Sequence, residues 1–120
     1  MAYDPQNIFA RLIRGELPAN KVYEDEHVLA LHDIAPKAPI HVMIVPKGPY
    51  TTISDFTANA SDREILAFNR AIAKVVAELD LEQTGYRVIS NNGGFGHQEV
   101  PHFHLHIVGG KSLGAMLPEL

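Results

Sequence analysis

His102, His104 and His106 stand at period two in the run His102-Phe103-His104-Leu105-His106-Ile107-Val108. In an extended strand, residues i, i+2 and i+4 point to one face and their neighbours to the other. The run therefore predicts three imidazoles in a row over a sheet, with Phe103, Leu105 and Ile107 anchoring the strand in a core. A neutral imidazole is a good nucleophile near pH 7, because its pKa lies close to neutrality. Attack on a phosphoryl centre would give an N-linked phospho-imidazole that water can cleave. Neighbouring imidazoles would then fix a tautomer, stabilise equatorial oxygens or serve the leaving group. Directly before the run lies Asn91-Asn92-Gly93-Gly94-Phe95-Gly96-His97-Gln98, a glycine-rich loop whose backbone N–H groups suit an anion.

Two other readings compete. Solvated surface histidines are one, but three in register beside such a loop ask for more than chance placement. A metal site is the other, since His-x-His on a strand supplies two ligands for zinc or copper. At a rise of ~3.3 Å per residue, His102 and His106 sit ~13 Å apart at their backbones. Three rings converging on one ion would need strong curvature, so the metal alternative is two of them completed by His41 or His97.

Caps and periodicity give the elements that must hold these side chains. Asp4 followed by Pro5 predicts a helix N-cap with proline in the first turn. Ile8, Phe9, Leu12 and Ile13 share a face, and Gly15 is a stop. Strands are expected at about 21–25 and 28–33, followed by the rigid connector Pro36–Pro39. His41-Val42-Met43-Ile44-Val45 is apolar on both faces, which suits a central buried strand ended by Pro46. Ser61-Asp62-Arg63-Glu64 is a capping box. The helix it opens should run to about Leu79, with a stripe of Ile65, Phe68, Ile72, Val75 or Val76, and Leu79. Tyr86–Ser90 is a fourth strand and the histidine run a fifth. Five strands and two main helices outside βαβ alternation predict an α+β fold on an antiparallel sheet, in one domain over 1–120.

Composition narrows the partners. With 120 residues, 46% hydrophobic and 20% charged, the chain has the balance of an ordinary soluble globule. A net charge of −4 with scattered lysines and arginines argues against nucleic acid as a partner. The absence of cysteine removes disulfides and thiolate chemistry. No stretch has the layout of a signal peptide or the length of a membrane span, so a cytoplasmic protein is expected.

The pattern at 102–108 resembles the signature of the histidine triad (HIT) superfamily of nucleotidyl hydrolases and transferases. Val108-Gly109-Gly110-Lys111, His32-Asp33-Ile34-Ala35-Pro36, Ala38-Pro39-Ile40-His41 and the opening Ile8–Ala19 are similar to its Hint branch. The likeness runs from about residue 7 to the C-terminus, and Leu113-Gly114-Ala115-Met116-Leu117 resembles short bacterial members. It implies a HIT-like fold and a purine nucleoside phosphoramidase that cleaves AMP or GMP amides through a nucleotidylated histidine, without metal or cofactor. By motif position His104 would be the nucleophile, its Nδ1–H held by the His102 carbonyl. His106 would contact the phosphate and leaving group, and His41 would stand behind His102 in a relay. Histidine rather than glutamine at 106 argues for hydrolysis over transfer.

The resemblance also implies a nucleoside pocket of Ile8, Phe9, Leu12, Leu31, His32, Asp33 and Ile34, with Asn91 and Gln98 around the phosphate. Taken singly, Ile8, Phe9, Leu12 and Leu31 read as core, His32 and His41 as satisfied core histidines, Asp33 as a loop cap and Asn91 as a turn residue. Two positions depart from the pattern. His97 stands where many relatives have glycine, and Glu99 where some have serine; Glu99 is expected to face away or toward a cationic amine. The branch forms homodimers whose sheets join edge to edge, and Ser112–Leu120 would approach the partner's site. A purine-nucleotide-binding regulatory protein with incidental hydrolysis, and a metal-binding protein, are the alternatives. A dinucleoside polyphosphate hydrolase is disfavoured by the short chain and Gly109-Gly110.

Overall fold

The computed structural model describes residues 2–118; Met1, Glu119 and Leu120 lie outside the described residues. Helix α1 (Ile8–Ile13) precedes β1 (Lys21–Glu24), β2 (Val28–His32) and β3 (Ile40–Pro46). Then come α2 (Ile53–Asn59), α3 (Asp62–Glu78), β4 (Tyr86–Ile89) and β5 (Leu105–Gly109). The strands form one sheet in the order β1-β2-β3-β5-β4, and every neighbouring pair is antiparallel. This is the expected α+β architecture, with the apolar run at 41–45 in the middle of the sheet. No described helix is long and apolar enough to cross a membrane.

The sheet separates two packed layers. On one face, Val28 and Ala30 of β2, Val42 and Ile44 of β3, and Leu105 and Ile107 of β5 meet Phe68, Ala71, Val75 and Val76 of α3. Phe56, Phe68 and Phe103 stack there with ring centroids 5.1–5.2 Å apart. On the other face, Leu29, Leu31 and Val45 pack with Phe9 of α1, and the half-buried Leu12, Ile13 and Met43 close the layer. The capping box at the start of α3 is formed: Glu64 N–H donates to Ser61 Oγ (3.2 Å) and Ser61 N–H to Glu64 Oε1 (3.0 Å).

Three local expectations are corrected. Helix α1 starts later than Asp4 suggests, because Asn7 is the N-cap: its Oδ1 accepts from Ala10 N–H at 3.0 Å. Asp4 instead closes a turn, its carboxylate accepting from Gln6 N–H and its carbonyl from Asn7 N–H. A third helix, α2, lies between the two expected helices; Thr52 caps it by accepting from Asp55 N–H, and Phe56 is its buried apolar residue. The histidine run enters the ladder only at Leu105. Continuing the β3–β5 register (Ile44 opposite Leu105) would set Phe103 opposite Pro46, which has no N–H to share. The Phe103 N–H donates to the Tyr50 carbonyl instead, at 2.7 Å.

Candidate active site

Although β5 begins late, the alternation of faces holds. Phe103 and Leu105 lie in the α3 core. His102 and His104 meet Phe9 of the α1 layer, with centroids 5.9 and 4.7 Å away. His106 meets His41 at 5.0 Å and His104 at 4.9 Å. The three imidazoles therefore share one side, as period two requires.

Their hydrogen bonds assign their tautomers. His104 Nδ1 lies 2.7 Å from the His102 carbonyl, which can only accept, so Nδ1 carries the proton. His102 Nε2 donates in the same way to the Pro46 carbonyl at 2.8 Å, and its Nδ1 then accepts from the Tyr3 hydroxyl at 2.7 Å. At the other end, the backbone N–H of Lys37 donates to His41 Nδ1 (3.0 Å), which places the His41 proton on Nε2. That N–H donates to His106 Nδ1 (2.8 Å), leaving the His106 proton on Nε2.

Burial favours the neutral form of His102, His104 and His106. Desolvation lowers the pKa of His102 to about 4 against its bond to Pro46. The same cause, helped by His104 and His41, lowers His106 to about 4. His104 is lowered too, chiefly by desolvation, while the His102 carbonyl, Asp33 and Glu99 pull it back up. His104 thus presents an unprotonated Nε2 at neutral pH, beside an Nε2–H on His106.

Both rings open onto a cavity of about 460 Å³, lined also by Phe9, Asp33, Lys37, His41, Asn91, His97, Glu99 and Leu113. Its rim is the glycine-rich loop, closed on itself by Gln98 N–H to the Gly93 carbonyl (3.1 Å) and Gly93 N–H to Gln98 Oε1 (3.0 Å). A side chain at Gly96 would put its Cβ 2.4 Å from the Asn92 carbonyl oxygen, so the loop closes only around glycine there. Asn92 ties the loop to α2 by accepting from Ile53 N–H at 2.8 Å.

A family model described as the HIT domain matches residues 14–113. The chain belongs to the HIT family. Over 115 residues it is 48% identical to an uncharacterized HIT-like protein of Azospirillum brasilense, covering 96% of this chain and 94% of that one. It is similar, at 39% identity over 115 residues, to the purine nucleoside phosphoramidase of Escherichia coli (strain K12), covering 93% of each. Among solved structures, a HIT family hydrolase from Clostridium thermocellum superposes with a TM-score of 0.85 at 36% identity, covering 94% of this chain and 97% of that one. These likenesses support hydrolase chemistry.

Within this HIT domain, the expected residues divide. The cavity gathers Phe9, Asp33, His41, Asn91, His97, Glu99, His104 and His106. His102 lies behind it, fully buried. Leu31 is buried beneath Phe9, with Leu12 half-buried against the same cluster. Ile8 and Ile34 stand exposed, the latter at 95%, and the half-buried His32 does not line the cavity. Gln98 turns its amide inward, donating to the Thr51 and Val100 carbonyls at 2.6 and 3.0 Å. His97 adopts φ +55°, a conformation that suits glycine better. Of the tail, Leu113 lines the cavity of its own chain and Gly114 accepts from Arg87.

The expected relay from His41 to His102 is corrected: His41 bonds His106. Antiparallel register sets His41 opposite Val108, at the far end of the run from His102. Two partners of the imidazoles had no sequence signal. Tyr3 reaches His102 across 99 residues, and Lys37 acts through a backbone N–H in the proline connector.

Asp33, His41 and His106 place donor atoms within 4.8 Å of one another, a spacing a metal ion could use. The protons do not fit one. With His41 Nδ1 accepting from Lys37, His41 Nε2 carries hydrogen rather than a free lone pair. An ion would have to break that chain before it gained a ligand.

Proposed function

We propose that this chain hydrolyses the P–N bond of purine nucleoside 5′-phosphoramidates through a nucleotidyl-His104 intermediate. One observation carries the reading: His104 is locked with Nδ1–H on its neighbour's carbonyl, so its free lone pair opens onto the cavity beside the His106 Nε2–H. Similarity to a relative named purine nucleoside phosphoramidase supports the substrate class.

In the first step, His104 Nε2 attacks phosphorus and the P–N bond breaks, its electron pair leaving on the amine. The His106 Nε2–H donates to a phosphoryl oxygen or to the departing nitrogen, which takes up a proton from solvent. In the second step, water attacks phosphorus and loses a proton, the P–Nε2 bond breaks, and His104 regains its lone pair. Phe9 gives the purine an apolar wall within the cavity. Asp33 Oδ1 accepts from Ala35 N–H at 2.8 Å and keeps lone pairs for ribose hydroxyls. Asn91, His97 and Glu99 line the same cavity; in the proposed complex Asn91 and His97 serve the phosphate and Glu99 a cationic leaving amine. The proposal includes a cytoplasmic homodimer; β4 is an outer strand with Tyr86 and Val88 exposed, which supports edge-to-edge pairing.

The test is brief mixing with adenosine 5′-phosphoramidate, acid-free quenching and peptide mass spectrometry. A nucleotidyl mass on His104 is expected. Nucleotide binding without turnover, or turnover with no adduct on His104, overturns the reading.

A further inference from the structure

We propose that Tyr3 is a positioning residue for His104, acting through His102 by donating its hydroxyl hydrogen to the buried ring. The inference rests on His104 being the working nucleophile, and it concerns a residue outside every motif of the chain.

His102 is fully buried and touches the cavity with none of its atoms, so its contribution must pass through a neighbour. That neighbour is His104, whose Nδ1–H ends on the His102 carbonyl. The His102 ring is held at both ends, by the Pro46 carbonyl at Nε2 and by the Tyr3 hydroxyl at Nδ1. Tyr3 also packs edge-on against it, with centroids 5.6 Å apart at 62°. Phe9 lies against both His102 and His104, so a displaced His102 ring moves the surface on which His104 rests.

Removing the hydroxyl leaves the Nδ1 of the fully buried His102 ring without the donor it now has. A buried polar atom without a partner draws its side chain toward another tautomer or rotamer. Either change loosens the Pro46 bond and frees the His102 carbonyl to turn. Once that carbonyl turns, nothing holds the His104 proton on Nδ1. A proton moved to Nε2 removes the lone pair that faces the cavity. The opposing restraint is the Phe103 N–H bond to the Tyr50 carbonyl, which pins the same peptide plane at 2.7 Å. If that bond alone fixes the plane, Tyr3 is ordinary packing.

Tyr3→Phe in the full chain, labelled with nitrogen-15, separates these. Long-range proton–nitrogen spectra read each imidazole's tautomer without any substrate, so the result stands whether or not phosphoramidates prove to be substrates. The wild type should show His102 as Nε2–H and His104 as Nδ1–H. In Tyr3→Phe both should become mixed, with kcat on adenosine 5′-phosphoramidate falling roughly tenfold at unchanged KM, as a misaligned nucleophile would produce. An unaltered His104 spectrum and kcat overturn the proposal. So does an effect seen in Tyr3→Leu but not in Tyr3→Phe, which would assign the role to the ring. Should Tyr3→Phe fail to fold, ring-fluorinated tyrosine strengthens the donor instead. His102 and His104 resonances must then move together, and movement at His102 alone overturns the proposal.

Discussion

The two faces of the sheet use the same strands for opposite ends. Toward α3, contacts are ring on ring and methyl on methyl, and the cluster of Phe56, Phe68 and Phe103 is held by many weak contacts summed, none of which fixes a proton. Toward α1, the imidazoles are nearly as buried but are held by directional hydrogen bonds, each of which decides a proton's place. No described buried side-chain nitrogen or oxygen lacks a partner. One layer stores stability in bulk; the other converts burial into protonation states. Phe103 and His104 are adjacent in sequence, yet substitutions there should fail in different ways.

The sharpest break of that contrast is His104→Ala. It should lower phosphoramidase turnover by about a thousandfold or more while AMP binding, read by calorimetry, persists. Phe103→Ala should do the reverse first, costing about 3–5 kcal/mol in urea unfolding because it opens a cavity among packed rings. Equal loss of stability from both would erase the distinction between the faces.

In the upper part of the acid range, before the unfolded carboxylates take up protons, acid probes chiefly the site layer. Unfolded imidazoles take up protons from about pH 6.5 downward, whereas folded His102 and His106 hold out to about 4. The unfolded chain therefore binds more protons in that window, and Tm should fall as pH drops from 6.5 toward 4. His102→Asn should flatten the slope; an unchanged slope would place the titration elsewhere. The acid limb of kcat/KM should likewise lie below 6.5, since His104 is pushed down by burial. The smallest effect is expected from Glu99→Gln, which removes an upward pull on His104 and should move that limb to lower pH, less so in high salt. An upward move would mean that Glu99 acts otherwise than through His104.

Much of this was legible because the signals are local. The capping box, the two-sided apolar run at 41–45 and the alternation at 102–108 each encode their own geometry within a few residues. Helix α2 escaped because one buried Phe56 in seven residues gives no stripe to read. The late start of β5 depends on Pro46, and the partner of His41 on register between strands 65 residues apart in sequence. Tyr3 is the extreme case, a contact made only by the finished fold. Ile34 and Gln98 show the converse: residues that match a motif, one standing almost fully in solvent and the other spent on bracing its own loop.

The amide of Lys37 ends the His41–His106 chain, and a backbone amide does not lend its hydrogen. Charge can leave this pair only into the cavity that both rings line, where Asp33 Oδ2 stands 3.4 Å from His41 Nε2. In the proposed reaction the acid consumed by the departing amine therefore enters through that cavity from the surrounding medium, so small diffusible buffers should speed turnover more than bulky ones at equal pH.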